Sequence, residues 1–132
     1  MGKNKVTTTS APKTAIVIDD MKSMRGLAKV MLKSAGVEVV GEAENGEEGF
    51  KLYKSVNPDL VLLDIEMPVM DGMRTLSKIL GYDSNAKVVM LTTVSNWNVT
   101  EACIHAGAMD YIHKDKDPAI IKQRVEEVLA SL

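Results

Sequence analysis

Short runs of consecutive apolar residues alternate along this chain with stretches in which apolar residues return every three or four positions. Ala15-Ile16-Val17-Ile18 is the first run and stops at Asp19-Asp20. Leu60-Val61-Leu62-Leu63 is the plainest: it follows Pro58-Asp59 and stops at Asp64. Lys87-Val88-Val89-Met90-Leu91 stops at Thr92-Thr93, and a shorter segment from Ala108 to Ile112 stops at His113-Lys114. Val37 to Gly41 is a weaker segment of the same kind. Runs that are apolar at every position predict strands covered on both faces, as in a parallel sheet between layers of helix.

The intervening stretches carry helical spacing. Met24, Leu27, Ala28, Met31 and Ala35 predict a first helix, with Gly36 as its left-handed stop. Asn45 is placed to cap a short helix bearing Phe50, Tyr53 and Val56, which Asn57-Pro58 ends. Met73, Leu76, Ile79 and Leu80 mark a third helix. Ser95 or Asn96 caps a fourth, whose stripe is Val99, Ala102, Cys103 and Ala106, closed by Gly107. Asp117-Pro118 makes an N-cap and first-turn pair for a last helix, buried through Ile121, Val125, Val128 and Leu129. Five strand patterns alternating with helix patterns predict an α/β fold, a doubly wound parallel five-stranded sheet. Residues 1–13 are polar and predict a disordered tail, leaving 14–132 as one domain.

Composition narrows the function classes. A net charge of −2 gives no electrostatic drive towards nucleic acid or an anionic membrane. The lone Cys103 cannot form an internal disulfide, which suits a reducing cytosol, and its helical position predicts core filler. No apolar run approaches the ~20 residues that a membrane helix needs. Met1-Gly2-Lys3 starts like a myristoylation signal, but Val6 stands where Ser or Thr is wanted. With no secretory signal either, the expected location is the cytoplasm.

If the strands are parallel, their carboxyl ends lie along one edge, where open α/β sheets collect ligands and chemistry. That edge receives Asp19-Asp20, Asp64, Thr92-Thr93 and Lys114. Singly, each has an ordinary role: an Asp caps a turn, a Thr ends a strand, a Lys is solvated. Together they make a chemical set. Three carboxylates in one pocket repel one another unless a cation joins them, and oxygen-only ligands select Mg²⁺ or a similar ion. Three carboxylates, one ammonium and one divalent cation balance to zero charge, a pocket suited to an incoming phosphoryl group. The metal and Lys114 can hold its oxygens, and the Thr92 hydroxyl can donate to another. A carboxylate is then the evident nucleophile, and Asp64, on the central strand, is the best placed to become an aspartyl-phosphate.

This set resembles the receiver domain of two-component response regulators, of the single-domain CheY-like kind. The resemblance spans roughly residues 13–131. It rests on Asp19-Asp20, on Asp64 with Met67-Pro68 and Asp71-Gly72, on Thr92, on Gly107-Ala108 with Tyr111, and on Lys114. It implies the flavodoxin-like (βα)5 fold with strand order 2-1-3-4-5. It further implies that Asp64 accepts a phosphoryl group from a histidine kinase. Asp20 and Asp64 would bind Mg²⁺ directly, Asp19 through water, with the Glu66 carbonyl completing the protein ligands. Lys114 and Thr92 would read the phosphoryl group, and Tyr111 would be the switch aromatic. The implied output is protein binding through the face of the fourth helix, fifth strand and fifth helix, and the single-domain format suggests chemotaxis. The protein would not be an enzyme, only a stoichiometric phosphoacceptor that slowly loses its phosphoryl group.

Three departures stand out. Asp115 follows Lys114 where the family usually has Pro with a cis bond; a cis bond before Asp would cost about 3 kcal/mol, so a trans peptide is expected. Thr93 is bulkier than the usual small residue. Glu66 adds a fourth carboxylate at the mouth. Among other readings, a haloacid-dehalogenase-like phosphatase wants Asp-x-Asp, and this chain has Asp19-Asp20-Met21. A flavodoxin-like flavin or nucleotide module wants a Gly-rich cradle, and the first loop here is acidic. A pseudo-receiver would lack the acceptor and lysine that this chain retains.

Overall fold

A computed structural model describes residues 12–132. The myristoylation-like start and most of the polar tail, residues 1–11, lie outside the described residues. The strands are β1 (Thr14–Ile18), β2 (Glu38–Ala43), β3 (Leu60–Leu63), β4 (Val88–Thr92) and β5 (Asp110–His113). The helices are α1 (Lys22–Ser34), α2 (Gly46–Val56), α3 (Gly72–Tyr82), α4 (Trp97–Ala106) and α5 (Pro118–Ala130). All strands pair in parallel in the order β2-β1-β3-β4-β5, the flavodoxin-like arrangement expected from the sequence.

Alternation along the strands builds two cores. Ala15, Val17, Leu60, Leu62, Val89, Leu91 and Ile112 face α1 and α5, meeting Ala28, Leu32, Ile121 and Val125. Ile16, Ile18, Val61, Leu63, Val88, Met90 and Tyr111 face the other helices, meeting Tyr53, Leu76, Ile79 and Cys103. Each central strand is thus buried on both faces, which is why its sequence shows no polar alternation.

Helix boundaries follow local chemistry. Asn45 and Asp71 cap α2 and α3, their side chains accepting from the Glu48 and Arg74 N–H groups. Asn96, rather than Ser95, caps α4, and Asp117 with Pro118 starts α5. Gly36, at φ +82, takes the left-handed turn after α1.

Four details differ from the sequence expectation. On α1 the buried set is Met24, Ala28, Met31 and Leu32, while Leu27 is 39% exposed. The stripe is rotated by part of a turn, leaving Leu27 at its margin. On α4 only Cys103 of the expected stripe is buried; Val99 is half-buried, and Ala102 and Ala106 face solvent. β5 starts at Asp110 instead of Ala108, because the Ala108 N–H is used to close α4 on the Cys103 carbonyl. β2 starts at Glu38 and runs on to Ala43, with its register against β1 shifting between Ala15 and Ile16.

Candidate functional site

The sheet ladder itself positions the site. The Asp64 N–H donates to the Ile18 carbonyl at 2.9 Å, one residue past the end of β3. Likewise the Asp19 N–H reaches Ala43 at 3.0 Å and the Lys114 N–H reaches Thr92 at 2.9 Å. Each residue is therefore fixed in backbone before its side chain makes any contact. Gly72 approaches from the far side of the Asp64 loop. A Cβ on Gly72 would stand 2.0 Å from the Asp64 carbonyl oxygen, so only glycine lets α3 begin here.

Asp19, Asp20 and Asp64 come together, with one carboxylate oxygen from each within 4.8 Å of the others. Asp19 and Asp64 are buried and Asp20 is exposed, so the cluster opens to solvent on one side. Asp64 Oδ1 accepts from the Ile65 N–H at 2.8 Å, leaving Oδ2 to meet Lys114 Nζ at 3.1 Å. Asp19 Oδ1 accepts from the Met21 N–H at 2.9 Å, and its Oδ2 pairs with Lys114 Nζ at 2.9 Å. The set is made of hard oxygen donors with excess negative charge, which fits a divalent cation such as Mg²⁺.

Electrostatics in the pocket are opposed. Burial raises the Asp19 pKa above 3.8, and the bonds from Met21 and Lys114 only partly offset this. For Lys114, burial pulls the other way, but hydrogen bonds to Asp19 and Asp64 outweigh it and hold the ammonium above its ordinary 10.5. Lys114 is thus a firmly protonated cation shared between two carboxylates. Its reach does not depend on a cis bond, since the peptide bonds of the described residues are all trans.

Thr92 is fully buried at the end of β4, where its Oγ1 accepts from the Val94 N–H at 3.3 Å. Tyr111 is turned inward, 6% exposed, with its hydroxyl donating to the Val94 carbonyl at 2.6 Å. Glu66 and Thr93 are exposed. Two participants gave no signal in the sequence. Arg25 Nη1 donates to the Asp19 carbonyl at 2.7 Å while its Nε pairs with Glu42, bracing the first acidic loop against β2. Val94 serves through backbone atoms, which no side-chain pattern reveals.

A family model for the response regulator receiver domain matches residues 15–126. The chain belongs to that family. The chemotaxis protein CheY of Thermotoga maritima is 35% identical over 116 residues, covering 88% of this chain and 97% of that protein. CheY of Listeria monocytogenes is 42% identical over 99 residues, 75% of this chain and 83% of its own length. Among solved structures, the CheX–CheY–BeF3–Mg²⁺ complex of Borrelia burgdorferi matches with a TM-score of 0.85 at 34% identity, covering 89% of this chain and 90% of the matched chain. This receiver domain is therefore a CheY-like member of the two-component systems. No helix among its described residues is long and apolar enough to cross a membrane.

Proposed function

We propose that this receiver is a stoichiometric phosphoacceptor that takes a phosphoryl group from a histidine kinase onto Asp64. The observation that carries the reading is Asp64 itself: buried, with Oδ1 tied to its own loop and Oδ2 left beside a protonated lysine in an acidic cluster. Oδ2 attacks phosphorus, a P–O bond to Asp64 forms, and the bond to the donor's imidazole nitrogen breaks with the electron pair leaving on that nitrogen. Lys114 follows the charge from the carboxylate to a phosphoryl oxygen, so the ammonium need not be desolvated afresh. Mg²⁺ held by Asp19, Asp20, Asp64 and the Glu66 carbonyl would neutralise the carboxylates and the transferred group. Thr92 supplies a neutral hydroxyl donor from the neighbouring strand end. The acyl phosphate is lost only slowly, and no substrate is turned over.

The output surface is the face of α4, β5 and α5, worked through Tyr111. Trp97, Ile104 and Met109 lie exposed on α4 and the turn into β5. A downstream protein docking there reads the phosphorylated state, in the cytoplasm and, by likeness to the CheY relatives, in chemotaxis; no nucleic acid or membrane is involved.

The test is intact mass after incubation with acetyl phosphate and Mg²⁺. One phosphoryl addition is expected in the wild type and none in Asp64→Ala. Sustained turnover of a generic phosphate ester, or addition that survives Asp64→Ala, overturns the reading.

A further inference from the structure

Met21 follows the acidic pair and occupies the N-cap of α1 without any side-chain cap hydrogen bond. Caps favour Ser, Thr, Asp or Asn, so helix stability does not account for methionine here. Its backbone is pinned: the N–H donates to Asp19 Oδ1, and the carbonyl accepts from the Arg25 N–H. Its side chain is 49% exposed, yet Sδ lies 3.9 Å from Lys114 Nζ. The thioether forms one wall of an open cavity of about 350 Å³, which Met24, Leu27, Thr93, Lys114 and Asp115 also line. Met109 is the other methionine well exposed among the described residues, and it precedes β5, at the opposite end from Lys114.

We propose that Met21 is an oxidation site through which peroxide slows the chemistry at Lys114. The sulfur lone pair attacks one oxygen of hydrogen peroxide, an S–O bond forms, and the O–O bond breaks with its electron pair on the departing oxygen. That oxygen takes the proton left by the first and departs as water, so sulfide is oxidised to sulfoxide and peroxide reduced to water. The Lys114 ammonium, 3.9 Å from Sδ, favours the negative charge that develops on the leaving oxygen. The product is a strong neutral acceptor where a weak one stood. Its oxygen projects one bond beyond Sδ and comes within hydrogen-bonding reach of the ammonium. Lys114 then divides its donors among Asp19, Asp64 and the sulfoxide, and the group that should follow the phosphoryl charge is partly diverted.

The functional consequence rests on the phosphoacceptor reading, so the experiment carries two readouts. Wild type and Met21→Leu are treated with limiting hydrogen peroxide, and sulfoxide is located by peptide mapping. The Lys114 Nζ resonance and the rate of phosphoryl uptake from acetyl phosphate are then measured. In the wild type, sulfoxide at Met21 should move the Lys114 signal and slow uptake by about tenfold, as expected when a charge-assisted hydrogen bond is diverted. Methionine sulfoxide reductase should reverse both changes, and peroxide-treated Met21→Leu should show neither. An oxidised wild type with unmoved Lys114 signal and unchanged rate overturns the proposal, as does equal slowing of Met21→Leu. Absence of uptake by untreated protein would count against the phosphoacceptor reading alone, and the Lys114 signal would still decide this one.

Discussion

The Tyr111 hydroxyl donates to the carbonyl of Val94, 2.6 Å away, and the same residue's N–H donates to Thr92 Oγ1 at 3.3 Å. One residue thus joins the buried Thr92 hydroxyl at the end of β4 to the aromatic ring on β5. Moving Thr92 towards a phosphoryl oxygen removes the acceptor of the Val94 N–H, and the loop between β4 and α4 must readjust.

Because the Tyr111 and Thr92 hydroxyls share Val94, a change at Thr92 reaches the ring through that residue. Beryllofluoride with Mg²⁺ should therefore shift amide signals most at Val94 and its neighbours, with Trp97, three residues on, reporting by fluorescence. Tyr111→Phe should lower stability by about 1 kcal/mol, the usual worth of one hydrogen bond, and uncouple the Trp97 response from beryllofluoride binding. A full Trp97 response in Tyr111→Phe would show that Val94 does not link the two sites.

Burial of Asp19 makes stability depend on pH in a definite sense. Its pKa is raised on folding, so the native state binds this proton more tightly than the unfolded chain does. The contribution is complete below the ordinary 3.8 and is lost as pH rises through the raised value. Lys114, also raised, keeps its contribution up to its ordinary 10.5, so a decline between acid and neutral pH is not its doing. In metal-free thermal melts, Asp19→Asn should lose less stability than wild type as pH climbs from acid towards neutral. Parallel curves for the two proteins would refute the assignment.

Much of this site was legible in the sequence because the sheet does the assembling. Asp19, Asp64, Thr92 and Lys114 each end an apolar run, and parallel pairing brings all four ends to one edge. What escaped reading was whatever depends on backbone atoms or helix phase. Arg25 braces the Asp19 carbonyl, and Val94 bridges with its peptide group. Leu27 and Leu32 are equally apolar, and only packing decides which one faces the sheet. The inward state of Tyr111 was equally invisible, since an aromatic at that position fits a buried or an exposed rotamer.

Val69 adopts φ +70 in the loop between Asp64 and α3, and its side chain is 76% exposed. Left-handed backbone is strained for a β-branched residue, and no burial offsets the strain here. Asn tolerates this conformation without the extra unfolded-state freedom of Gly. Val69→Asn should raise stability by about 1 kcal/mol in urea denaturation. A loss of stability would mean that the loop conformation is held by contacts of the valine itself.

Asp115 puts a negative charge next to Lys114 in the chain, where simple proximity would weaken the ammonium's hold on an anion. Geometry argues otherwise. Lys114 Nζ is buried against Asp19 and Asp64, whereas the Asp115 side chain is 81% exposed and turned to His113, with Oδ1 3.5 Å from Nδ1. A charge in solvent is screened, and exposed pairs are worth about 0–1 kcal/mol at most. Neutralising it in Asp115→Asn should therefore change phosphoryl uptake from acetyl phosphate by no more than about twofold. Lys114→Met, by contrast, leaves two buried carboxylates without their shared cation and should abolish measurable uptake while the protein stays folded by circular dichroism. The residual effect of Asp115 should also shrink as salt is added, since screening acts on the exposed charge and spares the buried one. A large, salt-independent acceleration in Asp115→Asn would mean that its carboxylate reaches Lys114 during the reaction.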